Sequence, residues 1–128
     1  MILEIFPHEI EYYKTENGTA PFKEWLTALR DVSGRAKIRI RLDRARMGNF
    51  GDHKLIDEGI WELRVDYGPG YRVYFAKEGH RLILLLIGGA KNSQKKDIAQ
   101  ASSYLQDHRR RHRHGAGDRV SKGFNRGT

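Results

Sequence analysis

Between positions 61 and 75 the chain reads Trp-Glu-Leu-Arg-Val-Asp-Tyr-Gly-Pro-Gly-Tyr-Arg-Val-Tyr-Phe, and its reactive side chains are concentrated there. Trp61, Leu63, Val65 and Tyr67 alternate with Glu62, Arg64 and Asp66; after Gly68-Pro69-Gly70, Tyr71, Val73 and Phe75 alternate with Arg72 and Tyr74. Alternation with period two marks half-buried strands, and the Gly-Pro-Gly turn joins them as a hairpin. A three-residue loop over residues 68–70 pairs Tyr67 with Tyr71, Asp66 with Arg72, and Arg64 with Tyr74. In that register Glu62, Arg64, Asp66, Arg72 and Tyr74 emerge on one face, opposite the apolar one. Two planar guanidinium forks on a rigid ribbon suit phosphate groups, and the carboxylates and phenol beside them are groups that can move protons. The same pattern also fits an ordinary Asp66–Arg72 ion pair on a solvated face, worth a few tenths (~0.3) of a kcal/mol.

Other reactive side chains are scattered. His8, His53 and His80 lack partners at metal-ligand spacing, so no metal site and no cofactor are expected. There are no cysteines, which removes disulfides, thiol nucleophiles and cysteine–zinc sites together. Gly88-Gly89 lacks the spacing of a phosphate-binding loop, but it leads to Lys91 at a strand end. Ser93 with a remote histidine makes no triad.

The elements that position these groups follow from periodicity. A strand is expected near residues 10–13. Thr19-Ala20-Pro21 opens a helix, with threonine as cap and Phe22, Trp25, Leu26 and Leu29 on one face. Ser33-Gly34 starts a second helix over residues 35–47, with Ile38, Leu42 and Ala45 inward and Gly48 as its stop. Residues 49–59 read as a loop. The run 82–87 is apolar on both faces, as in a central strand, and Ser93 is placed to cap a last helix with Ile98, Ala101 and Leu105 as its stripe. The order is β-α-α-β-β-β-α: an α+β domain with a small antiparallel sheet packed against an N-terminal helical hairpin and a C-terminal helix.

Length and charge set the boundaries. The 128 residues favour one domain over residues 1–107, followed by a basic tail over 108–128. The tail holds seven Arg or Lys and one acid; the rest holds seventeen basic and fifteen acidic groups, so most of the net +8 lies at the C-terminal end. With only Val120 and Phe124 to bury, the tail is expected to stay disordered, either adding non-specific RNA affinity or serving as a plain extension. No apolar run approaches membrane-spanning length and the N-terminus lacks a signal pattern, so a cytoplasmic protein without membrane contact is expected.

Three stretches in order carry a resemblance: Gly48-Asn-Phe-Gly-Asp52, the hairpin from Glu62 to Phe75, and Gly88-Gly-Ala-Lys-Asn-Ser-Gln-Lys-Lys-Asp-Ile98. Over residues 9–107 the chain resembles the RelE/ParE toxin superfamily, and within it the phage-derived or addiction-module killer branch related to HigB. The resemblance implies a RelE-like fold and the toxin of a type II toxin–antitoxin system: a metal-independent mRNA endoribonuclease, usually acting on messages in the ribosome. It also implies a helix-turn-helix antitoxin as partner.

The resemblance places the family's Gly-Tyr-Arg arginine at Arg72 and its basic residue after the last strand at Lys91. RelE proper carries two lysines on the preceding strand where this chain has Ile60 and Glu62, leaving Arg64 as the basic group there. In the implied reaction the ribose 2′-OH attacks the adjacent phosphate. Arg72, Arg64 and Lys91 stabilise the added charge, and Glu62 or Tyr74 helps move the proton. His53, Lys54, Gln94, Lys95 and Lys96 are the expected RNA contacts. Two other functions share the pattern: gyrase inhibition of the ParE kind, and a non-catalytic RNA- or ribosome-binding module.

Overall fold

A computed structural model describes residues 7–122, with side chains to His112. The elements are β1 (Glu9–Tyr12), α1 (Pro21–Ala28), α2 (Val32–Arg46), β2 (His53–Asp57), β3 (Ile60–Val65), β4 (Tyr71–Glu78), β5 (Leu82–Ala90), a 3₁₀ turn (Lys91–Ser93) and α3 (Gln94–Lys122). The α+β class holds. The sheet, however, is mixed and five-stranded, in the order β1-β5-β4-β3-β2.

Two strands depart from expectation for physical reasons. β2 lies in the stretch read as a loop. It pairs antiparallel with β3 at the sheet edge and is bulged between Leu55 and Asp57, so its strand character comes from its neighbour and not from its own alternation. β1 pairs parallel with β5, from Glu9↔Leu82 to Tyr12↔Leu85, so the sheet is not a pure meander. A four-residue strand carries no signal of which distant strand it will join. β5, flanked by β1 and β4, is the central strand its double-faced apolar run implied.

Both faces of the sheet are covered. α1 and α2 lie on one face, where Phe22, Leu26, Ile38, Leu42 and Ala45 pack against Leu63, Val65, Val73, Phe75, Ile83 and Leu85. α3 crosses the other face, burying Ile60, Tyr74, Ala76, Leu84 and Leu86 under Ala101 and Leu105. The polar side of the hairpin is therefore roofed by α3 in part, not open along its length as expected.

The two glycines of β5 allow this sandwich. A Cβ at Gly88 would overlap the Trp25 ring of α1, and one at Gly89 would overlap the Asp97 carboxylate of α3. Gly88-Gly89 is thus a place of close approach on both faces. The helix starts also differ from expectation. Ala20, with no side-chain bond, precedes α1 in place of Thr19, and Asp31 caps α2 by accepting from the Gly34 amide at 2.9 Å. Ser93 lies in the 3₁₀ turn and donates to Asp97 at 2.5 Å instead of capping the helix.

The basic segment after residue 107 is helical to Lys122, where a disordered tail was expected; residues 123–128 lie outside the described residues. Its first turn is anchored despite its low apolar content. His108 is buried beside Glu78, Arg109 pairs with Glu78 at 3.1 Å, and Arg111 pairs with Asp107 at 2.6 Å and reaches the Lys14 carbonyl. Asp107 also accepts from the Tyr13 hydroxyl at 2.6 Å. No helix among the described residues is long and apolar enough to cross a membrane.

Two stability predictions follow from these contacts. Gly88→Ala forces the Trp25 ring to move and should cost about 1–3 kcal/mol, read as a fall in Tm of several degrees. Hydrogen bonds from Arg111 and Tyr13 hold the Asp107 carboxyl down at about 2. Its folded-state pKa is depressed, so its contribution is present above the ordinary carboxylate pKa of ~4 and is lost as pH falls toward 2. Urea midpoints should drop across that window, and less steeply in Asp107→Asn; equal slopes would remove the assignment.

Candidate nucleic-acid interface

The hairpin closes two residues further back than the sequence suggests. Val65↔Tyr71 is the last pair, and a five-residue loop runs over residues 66–70 with Gly68 and Gly70 at positive φ. The Gly70 amide donates to the Tyr67 carbonyl within this loop, so Asp66 and Tyr67 leave the ladder. A shift of two preserves face parity. Glu62, Arg64, Arg72 and Tyr74 still share a face, but Arg64 now stands opposite Arg72 and Glu62 opposite Tyr74. Asp66 is exposed in the turn, and the expected Asp66–Arg72 pair does not form.

Like charges directly opposed on neighbouring strands repel. The resolving group is Glu62, whose side chain is fully buried. Its Oε1 accepts from Arg64 Nε at 3.0 Å and lies 4.0 Å from the Arg72 guanidinium. Its Oε2 accepts from the Tyr74 hydroxyl at 3.0 Å and from Gln94 Nε2 at 2.7 Å. Burial alone would raise the Glu62 pKa. The donors from Gln94, Arg64 and Tyr74, with the charge of Arg72, outweigh it and hold the carboxyl below its ordinary range. Burial and the Glu62 charge push the Tyr74 phenol well above its usual range. An ionised carboxylate whose two oxygens already accept from three donors is a poor base, and such a phenol is a poor acid. The chemistry of Glu62 and Tyr74 is positioning.

The two arginines differ in access. The Arg64 side chain is about one-third exposed, at 32%, whereas that of Arg72 is 13% exposed. Arg72 Nε is buried without a hydrogen-bond partner among the described residues. Its fork is thus held by charge and not locked by bidentate bonds, leaving donors for a further oxygen.

Of the other expected residues, Gln94 joins the cluster through Glu62. Lys54 is the cross-strand partner of Glu62 and lines a cleft with Gln94 and Lys95. Lys91 is exposed beside the hairpin tip, its amide donating to the Gly70 carbonyl. Lys96 is exposed and does not line that cleft. His53 belongs to the opposite face, stacked on Phe50 and Trp61 with Nδ1 2.9 Å from the Gly51 carbonyl.

Two positioning residues escaped sequence reasoning. Asp97 lies over Gly89, the register partner of Arg72, and accepts from Ser93 Oγ. The i, i+4 spacing of Ser93 and Asp97 at the start of an amphipathic helix was the available signal. Arg41 of α2 donates to the carbonyls of Phe50, Asp52 and Arg64, clamping the 50–52 segment to β3. No pattern distinguishes it from the other arginines of that helix.

Removing the central carboxylate leaves opposed arginines and two orphaned donors. Glu62→Ala should cost about 3–5 kcal/mol, the penalty for breaking a buried ion pair from one side. Equilibrium urea unfolding measures this; a loss within the range of a surface substitution would show that Glu62 does not organise the cluster.

No family model matches the chain. A Haemophilus influenzae protein carrying the name "Uncharacterized protein" is 46% identical over 89 residues, which cover 70% of this chain and 90% of the relative. The chain belongs to the same family as that H. influenzae protein.

Proposed function

We propose that the chain is the toxin of a type II toxin–antitoxin pair, acting in the cytoplasm as a metal-independent endoribonuclease on mRNA, with a RelE-like fold. The observation that carries this reading is the arginine pair held on the hairpin by a buried, ionised carboxylate, with the Arg72 fork incompletely satisfied. Preorganised donors of this kind act where charge develops on a phosphate during in-line attack by the 2′-OH. Arg72 is the clamp on the scissile phosphate, Arg64 the more exposed second guanidinium, and Lys91 a flanking cation. Glu62 and Tyr74 hold the arginines; neither carries the proton. The sequence resemblance in the hairpin and in the stretch 88–98 supports the same assignment, and a helix-turn-helix antitoxin is the partner that goes with it.

A second reading, a non-catalytic RNA- or ribosome-binding module, is favoured by one observation. The two groups best placed to move a proton are tied to each other, with the carboxyl lowered and the phenol raised.

The deciding experiment adds the purified full chain to a translating extract and maps mRNA 5′ ends by primer extension. Cut ends should appear with the native chain. They should fall about 100-fold in rate with Arg72→Ala, as for loss of one preorganised donor to a transition state, and less with Arg64→Ala. RNA retention without cut ends would favour the binding module. Undiminished cutting by Arg72→Ala would remove the clamp. DNA-damage signalling without translation arrest in induced cells would point to gyrase instead.

A further inference from the structure

The polar cluster continues past Glu62 into an open cleft between β2 and the first turns of α3. The cleft has a volume of about 430 Å³ and is lined by Lys54, Leu55, Ile56, Gln94, Lys95 and Ile98. Leu55 is exposed, and Ile56 and Ile98 are half-buried, so the cleft has apolar surface. Lys54 and Lys95, both exposed, put an ammonium group on each of the two walls.

Gln94 gives this cleft a fixed polar edge. Its Nε2 donates to Glu62 Oε2 at 2.7 Å. A carboxylate can only accept, so the amide cannot be turned over without setting its own oxygen against a charge. One amide N–H is used on Glu62, and Oε1 and the other N–H remain for the cleft. Arg64 is bonded to the other oxygen of the same carboxylate, so the amide edge and the guanidinium pair are joined through a single group. An apolar surface, an oriented amide and flanking cations, next to a phosphate-binding arginine pair, match a planar heteroaromatic ring carrying a phosphate.

We propose that this cleft is a nucleobase subsite beside the phosphate clamp, and that Gln94 is a specificity-determining residue selecting bases that bear an exocyclic amine over uracil. The proposal rests on the RNA reading above. The amide oxygen, held as an acceptor by Glu62, meets the amine of adenine, cytosine or guanine; on its outer edge uracil presents carbonyl oxygens, which that acceptor does not pair with. Lys54 and Lys95 contact the backbone on either side and carry no base preference.

The test uses the full chain in a translating extract, with a reporter mRNA containing a randomised window, and sequences both cut ends and ultraviolet-crosslinked RNA. At one position flanking the cut or crosslink, amine-bearing bases should exceed uracil by about tenfold, the discrimination of one good base-edge contact. Gln94→Ala should bring that ratio below about twofold, and so should Ile98→Trp, which fills the cleft and leaves the Gln94–Glu62 bond in place. The ratio is taken within one sample, so it is independent of any overall loss of rate or stability in either variant. A flat base profile with the native chain, or a preference surviving in both variants, overturns the subsite alone when RNA engagement still depends on Arg72. If the native chain neither binds nor cuts RNA and Arg72→Ala behaves identically, the RNA reading falls and the subsite with it.

Discussion

A single carboxylate under the roof of α3 sets the geometry of the hairpin face. Burying Glu62 is unfavourable by itself, because an ion removed from water loses several kcal/mol (roughly) of solvation that must be recovered from neighbours. Here the recovery comes from four side chains on three elements: Arg64 of β3, Arg72 and Tyr74 of β4, and Gln94 of α3. Two arginines opposed across a ladder would otherwise splay into solvent. The carboxylate turns that repulsion into a shared attachment and fixes both guanidinium groups on one side of the sheet.

The rest of the fold serves that arrangement. α1 and α2 press the apolar side of the hairpin flat, so its strands cannot slide by one residue without exposing Leu63, Val65, Val73 and Phe75. Gly88 and Gly89 let α1 and α3 reach the backbone of β5 from opposite faces, and through Gly89 the start of α3 comes down beside Arg72. Arg41 ties the 50–52 segment to β3, where the edge strand begins.

Local pattern carried much of this into the sequence. Alternation along residues 61–67 and 71–75 marks the hairpin and its polar set, and the stripes of Phe22/Leu26 and Ile38/Leu42/Ala45 mark the helices beneath. What stayed hidden depends on partners distant in the chain. β2 is a strand because β3 lies beside it. β1 chooses β5 with four residues and no distinctive alternation. Loop length was misjudged because Tyr67 continues the apolar alternation although its backbone already belongs to the turn. The arginine-rich segment after residue 107 has a tail's composition, but Asp107, Glu78 and Tyr13 give its first turn attachment points. Glu62 was visible as a member of the face; that it lies at the centre, with its charge fully engaged, became apparent only with α3 in place.

The pairing of charges inside the cluster also sorts its roles by range. Arg64 and Arg72 sit beside Glu62, and Asp97 lies over the strand neighbour of Arg72, so two cations and two anions are gathered in one small region. A site already neutralised from within sheds few condensed counterions when it takes up a polyanion. Long-range attraction is left to the exposed lysines at 54, 91, 95 and 96, whose field is cut off within about 8 Å at physiological ionic strength. Salt should therefore govern how often a nucleic acid arrives, whereas the arginines govern how one phosphate is held after it does.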